Sequence, residues 1–454
     1  MKNILILGAG QSAPYLISYM LNEAEKNNWF VTVADRDENL AKKSVNGHAN
    51  GEGIGFDVND SNKRHLLIQK SDIVINFLTP TFQYLIALDC LRFKKHVITA
   101  SYENRRVAEL DRDAKNSGVL ILNEMGLDPG IDHMSAMSIL AKIRDEGGNI
   151  KSFISYGSGI PAPEVDSNPL KYCITWNPSN IVTAGDAGAQ YLEDGYIKLI
   201  PHHEVFNRTW NVDIEGVGTL EAYPNRDSLL YQKIFNLEDV DTMIRGTLRY
   251  PGWSETWGQI VKLGLYLNTF TLPDISEMTY AQFTEMFLPL HVSGPKLQTR
   301  IANYLGISPT GKIMDNLEWL GLFSDKKIVR KFKTPMELMI ELIKEKMPLP
   351  EGESDMVILH HDIVASYGEN KKSKRINSTM IDYGDPNTNI TAIAKTVGAP
   401  AAIAAKLVLN GELNLTGCHI PTNKTIYTKV LTELETLGIK FREREKEFEE
   451  QIEA

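Results

Sequence analysis

The first 125 residues repeat one unit: a short apolar strand followed by a polar stretch of helical length. The strands read "NILILG" (3–8), "WFVTVAD" (29–35), "GIGFDV" (53–58), "DIVINFL" (72–78), "HVITAS" (96–101) and "VLILNE" (119–124). Between them run segments such as "APYLISYMLNEAEK" and "NRRVAELDRDAKNSG". Parallel neighbours need crossovers of that length, and strands covered on both faces are apolar throughout rather than alternating. The pattern predicts an α/β fold built on a doubly wound parallel sheet of the Rossmann kind.

Gly8-Ala9-Gly10-Gln11-Ser12-Ala13 sits between the first strand and the first helix and fits G-x-G-x-x-G/A. The glycines permit a tight turn and close approach of backbone to a pyrophosphate, which the helix N-terminus then favours. Asp35 ends the second strand, about 20 residues on, where a carboxylate accepts hydrogen bonds from the adenosine ribose. Ala34 precedes it, and Arg36 follows it and can instead hold a 2′-phosphate. The coenzyme is therefore expected to be NAD or NADP, with Asp35 tilting the expectation to NAD. Asp57, Val58, Thr79, Ala100 and Ser101 close later strands, where a ligand lies across such sheets.

Beyond residue 150 the rhythm changes. "SFISYGSGIPAPE" and "MIRGTLRYPGW" read as strands, residues 255–349 as mostly helical, and 354–384 as a long hairpin turning at Gly-Glu-Asn-Lys-Lys. "NITAIAKTVGAPAAIAAKLVLNGEL" reads as an Ala-rich helix pair and "REREKEFEEQIE" as a solvated helix end. The 454 residues suffice for two or three domains. A net charge of −10 without a basic block argues against nucleic acid or an anionic membrane as partner. Three scattered cysteines suit a reducing compartment. No run of about 18 apolar residues suggests a membrane span, so a cytoplasmic protein is expected.

"NEMGLDPGIDHMSAM" (123–137) leaves the sixth strand carrying Asp128, Asp132 and His133. Metal binding would need three or four converging ligands. Asp132 and His133 are adjacent and therefore diverge, and no HxxxH or HExxH is present, so no metal is expected. Asp132 reads as an N-cap of the following helix, His133 stays open, and Asp128 is the residue expected to face a cavity.

"ITASY", "GLDPGIDHMSAM", "PAPEVDSNPLKY", "AYPNRDSLLY" and "IRGTLRYPGW" together resemble saccharopine dehydrogenase of the glutamate-forming type, also called saccharopine reductase, over nearly the whole chain. The resemblance implies a variant Rossmann domain at 1–125. It also implies an α/β substrate-binding and dimerisation domain at 126–254 and 350–390, and a helical domain at 255–349. A C-terminal segment, 391–454, is expected to pack back on the core, and a homodimer is expected. The implied reaction interconverts saccharopine, a secondary amine with three carboxylates, with L-glutamate and 2-aminoadipate 6-semialdehyde.

By the same resemblance, Ser101, Tyr102, Asp128, Arg226, Thr247, Leu248 and Arg249 contact saccharopine, and Ala100, Ser101 and Leu127 border the cofactor. Arg226 and Arg249 are the expected carboxylate clamps, Arg245 being less certain, since guanidinium grips carboxylate bidentately. Asp128 and then Tyr102 are the candidates for proton handling. Relatives commonly read Ser-Tyr-Cys-Gly-Gly where this chain has Ser155-Tyr156-Gly157-Ser158-Gly159, so no mechanism resting on that thiol carries over. Two alternatives are weighed. Carboxynorspermidine dehydrogenase has fewer carboxylates to bind, against which two clamp arginines speak. A non-catalytic dinucleotide sensor would be expected to lack Asp128, Tyr102 or the arginines.

Overall fold

The computed structural model describes residues 1–368 and 372–449. It divides into two compact units, Met1–Ile150 with Met356–Ala454, and Lys151–Asp355. The stretch "GLDPGIDH" and the helix after it therefore belong to the first unit, as do the C-terminal helices.

In the first unit the strands β1 (Lys2–Leu7), β2 (Trp29–Asp35), β3 (Gly51–Gly55), β4 (Ile73–Asn76), β5 (His96–Thr99) and β6 (Leu120–Leu122) form a parallel sheet. Its spatial order is β6-β5-β4-β1-β2-β3. Ile4 to Leu7 and Ile73 to Ile75 are buried, which is why these strands read as unbroken apolar runs. A strand that the sequence reading passed over, Gly417–His419, pairs parallel with β6 and makes the sheet seven-stranded. It is three residues long and begins with glycine, so nothing in its composition marks it as a strand. Backbone pairing with distant Val119 and Asn123 defines it instead.

The expected helix pair at 389–413 is one helix, Ala392–Leu409, with Pro400 inside. The break that proline normally imposes is outweighed by burial, since small residues from Ala399 to Ala405 are packed on every side. It lies against the helix Pro14–Asn27 so closely that a Cβ on Gly398 would sit 2.8 Å from the Leu16 nitrogen. Length and hydropathy alone would let this helix cross a membrane, a property the sequence reading had found nowhere in the chain. However, 78% of it is buried inside the protein.

The hairpin is present as strands Asp355–Tyr367 and Lys372–Tyr383, paired from Met356↔Tyr383 outward. Its turn falls outside the described residues. The tail, expected as a helix end, is the strand Arg442–Glu449, antiparallel to Lys372–Tyr383. Its Arg/Glu/Lys composition favours helix, but tertiary pairing overrides that weak preference. Strand alternation places Glu443 and Glu445 on one face, where Lys142 meets them at 3.0 and 3.5 Å.

In the second unit a mixed sheet runs Trp210–Ile214, Gly218–Pro224, Thr242–Arg249, Gly148–Pro161. Thr242–Arg249 is parallel to Gly148–Pro161 and antiparallel to Gly218–Pro224. Residues 255–349, expected as mostly helical, are helical over a little under half their length, including Leu297–Leu305, Lys312–Trp319 and Pro335–Lys346, with loops between.

Candidate active site

Gly8 has φ +99 and its Cβ would lie 2.8 Å from the Phe77 carbonyl oxygen, so only glycine fits there. Its N–H donates to the Ala34 carbonyl. A Cβ on Gly10 would meet nothing within 4 Å, which leaves open space above the turn. The helix Pro14–Asn27 begins after Ala13 with no side-chain cap, and Pro14 occupies its first turn. Its leading N–H groups are thus free for an anion, with Gln11 exposed and Ser12 half-buried at the rim. An open cradle, an uncapped helix start and a glycine forced by close packing fit a dinucleotide.

Asp35 is occupied within the protein: one carboxylate oxygen accepts the Ala9 N–H at 2.8 Å and the other the Asp37 N–H at 2.9 Å. It braces the glycine turn. Arg36 is exposed and pairs with no carboxylate among the described residues. Asp57 accepts from the Asn59 backbone and side chain in a local turn, and Val58 is buried. Thr79 is exposed after β4, and Ala100 and Ser101 are half-buried after β5.

The loop after β6 folds on itself through a cis Asp128–Pro129 bond. Gly126 N–H donates to Pro129 O at 3.0 Å, and Gly130, at φ +147, has no room for a Cβ against Gly126. Asp128 is half-buried, Leu127 is buried, and the Tyr102 hydroxyl donates to Asp128 Oδ1 at 3.2 Å. The two expected proton-handling groups are therefore partners. Asp132 is not the N-cap, because Gly130 holds that place. It sits one position inside the helix and its Oδ1 accepts the Gly130 N–H at 2.7 Å. His133 is fully buried, its Nε2 3.0 Å from Glu124 Oε2. No group of three His, Cys, Asp or Glu side chains among the described residues is arranged to hold a metal.

In the second unit, Arg249 ends its strand 6% exposed. The guanidinium carbon lies 5.0 Å from the Tyr172 ring centre, 6.0 Å from Tyr223 and 5.8 Å from Trp253. One terminal nitrogen donates to the Leu248 carbonyl at 2.8 Å, while buried Nε has no hydrogen-bond partner among the described residues. No carboxylate of the described residues pairs with it. Aromatic faces attract a cation but satisfy none of its N–H directions. Burial pushes the Tyr172 phenol up to about 12 against the opposing pull of Arg249, so the box stays cationic.

Arg226 is exposed and adopts a left-handed backbone at φ 51. Arg245 is buried with its guanidinium 4.2 Å from the Tyr231 ring centre, and the hydroxyl of Ser228 receives its backbone N–H. Thr247 is half-buried, and Leu248 is buried beside Arg249. Ser158 is committed to the Leu248 carbonyl at 2.7 Å. Sequence reasoning missed the aromatic wall of Arg249, although Tyr172, Tyr223 and Trp253 all lie inside the quoted motifs.

Fold and cradle together define a nicotinamide-dinucleotide-dependent oxidoreductase. Residues 4–122 match the family described as "Saccharopine dehydrogenase NADP binding domain" and residues 126–439 match "Saccharopine dehydrogenase C-terminal domain". The chain belongs to the saccharopine dehydrogenase family. A Schizosaccharomyces pombe relative, saccharopine dehydrogenase (NADP(+), L-glutamate-forming), is 32% identical across 98% of this chain and 99% of its own. The Arabidopsis thaliana alpha-aminoadipic semialdehyde synthase is 31% identical over 98% of this chain and 45% of its own. The solved apo saccharopine dehydrogenase (L-Glu forming) of Saccharomyces cerevisiae superposes with TM-score 0.87 at 29% identity, covering 98% of this chain and all of that one.

Proposed function

We propose that the protein interconverts saccharopine, an oxidised nicotinamide coenzyme and water with L-glutamate, 2-aminoadipate 6-semialdehyde and the reduced coenzyme, within lysine metabolism. The observation that carries this reading is Arg249, a buried guanidinium with an open Nε and no carboxylate partner among the described residues. A buried cation left unpaired is costly, and a substrate carboxylate supplies what is missing. Arg226, exposed on its turn, suits a second carboxylate.

A nicotinamide dinucleotide held at the Gly8–Ala13 turn would supply the acceptor for a hydride from the carbon that joins the two amino-acid halves. That carbon releases hydride only when the adjoining amine is unprotonated, so a base must first take the amine proton. Asp128 has a carboxylate for this, and the Tyr102 hydroxyl fixes one of its oxygens at 3.2 Å. The substrate imine that remains adds water. Once the amine proton has passed to solvent, Asp128 takes a proton from that water, gives it to the nitrogen of the carbinolamine, and accepts the hydroxyl proton as the C–N bond breaks to amine and aldehyde. The Tyr102 phenol orients this carboxylate, since its unperturbed pKa near 10 suits a donor rather than a base.

The coenzyme we propose is NADP. Each Asp35 oxygen already accepts one backbone N–H and keeps a second lone pair, while Arg36, with no carboxylate partner among the described residues, can hold a 2′-phosphate. The Schizosaccharomyces pombe relative bears NADP(+) in its name. The test is to mix purified protein with saccharopine and NADP⁺ or NAD⁺ and to follow reduced nicotinamide. Turnover with NADP⁺ at least about tenfold more efficient is expected, equal to one charge-assisted contact. Dinucleotide binding without reduction of either coenzyme would overturn the enzyme reading.

A further inference from the structure

Behind Tyr102 and Asp128 runs a buried chain of ionisable groups that the reaction above leaves unused. The His133 ring is wholly buried, with Nε2 3.0 Å from Glu124 Oε2 and Nδ1 2.9 Å from Asp132 Oδ2. Each of these carboxylates holds one loop. Glu124 Oε1 accepts the N–H of Glu103 at 3.0 Å, one residue after Tyr102. Asp132 Oδ1 accepts the N–H of Gly130 at 2.7 Å, two residues after Asp128. One imidazole thus touches both of the carboxylates that hold the two candidate groups in place.

The arrangement is expensive for mere packing. Glu124 takes a left-handed backbone at φ 61 and is buried at 6% exposure. Burial, and then the charge of Glu124, raise the neighbouring Glu103 above the ordinary carboxylate range. Asn123 donates to Glu103 at 2.9 Å and receives Gln83 at 3.0 Å, so the crowded acids are held in a defined network. An apolar side chain at 133 would fill the space without taking an imidazole and two carboxylates out of water.

We infer that His133 is a positioning residue that sets the Tyr102–Asp128 separation by bridging Glu124 and Asp132. The inference rests on the saccharopine reading above. Misplacing a reacting group by about 1 Å costs on the order of 100-fold in rate without weakening substrate binding. His133→Leu removes both contacts, while His133→Gln keeps a nitrogen able to reach Glu124.

Each variant is assayed for saccharopine oxidation alone and combined with Asp128→Asn, with dinucleotide affinity measured alongside. His133→Leu is expected to lower kcat about 10- to 100-fold, with KM for saccharopine and dinucleotide Kd within about twofold. His133→Gln should restore part of the loss. In the Asp128→Asn background, His133→Leu should cost less than about threefold more, because the group it positions is already disabled. Equal losses in both backgrounds, or an unchanged kcat in the single variant, would overturn the inference. If His133→Leu does not fold, Glu124→Gln, which weakens the same bridge, carries the comparison. A wild-type protein that binds dinucleotide but leaves saccharopine untouched overturns the reading beneath it instead.

Discussion

In the first unit His133 lies against two carboxylates, and Asp35 and Asp132 spend oxygens on backbone N–H groups of their own loops. In the second unit Arg249 is also buried but faces aromatic rings and keeps Nε without an acceptor among the described residues. Polar groups that find partners within the protein serve shape, because those contacts are made before any ligand arrives. Buried charge left unbalanced is a standing preference for a ligand of opposite sign. The difference separates residues that hold a site from residues that use it.

The most direct way to break this contrast is Arg249→Ala. If the guanidinium awaits a carboxylate, its removal should raise KM for saccharopine about 100- to 1,000-fold, the range for truncating a buried charge pair. Dinucleotide Kd should stay within about twofold, and a KM that does not move would return Arg249 to a packing role. Asp128→Asn probes the other half. It should lower kcat about 100-fold, as expected for loss of a general base, with a far smaller change in KM. If KM changed as much as kcat, Asp128 would be a binding residue like Arg249 and the contrast would fail.

Arg36→Ala comes next in size. Loss of one phosphate contact should cut the preference for NADP⁺ over NAD⁺ about tenfold while the NAD⁺ reaction is nearly unchanged. A preference that survived the substitution would assign coenzyme choice elsewhere in the cradle. Asp35 teaches the same point about sequence. Its spacing from the glycine loop is that of a ribose acceptor, yet its oxygens are turned to Ala9 and Asp37. Position along a chain shows which residues can reach a site, and only the fold shows which of them also brace the backbone.

The parallel sheet was legible because stretches buried on both faces must be apolar, as Ile4 to Leu7 of β1 and Ile73 to Ile75 of β4 are. Gly417–His419 was not, since three residues acquire strand structure only from a partner far away in the chain. Arg442–Glu449 was misread because helix preference is local and weak, whereas its pairing with Lys372–Tyr383 is neither. Asp132 was placed at the cap although Gly130, two residues earlier, supplies it. Arg226, Arg249 and Asp128 could be singled out from the motifs around them. That Arg249 lacks a carboxylate partner among the described residues, and that His133 has two, are facts about neighbours brought together by folding, which no spacing rule contains.

The smallest effect expected tests whether Arg249 stays uncompensated at every working pH. Tyr172 is the acidic group beside it, and an ordinary tyrosine would begin to ionise near pH 10. A phenolate there would neutralise the guanidinium and release the substrate carboxylate, so KM would climb in alkali. Burial penalises the charged phenolate and wins over the attraction of Arg249, lifting Tyr172 to about 12. Below that pH the phenol remains neutral. Wild type and Tyr172→Phe should therefore give the same dependence of saccharopine KM on pH up to about 10, offset by less than about threefold for the lost contact with Trp176. If KM rose in alkali for the wild type but stayed flat for Tyr172→Phe, the phenol would be a counter-charge, and the second unit would partner its buried groups internally as the first does.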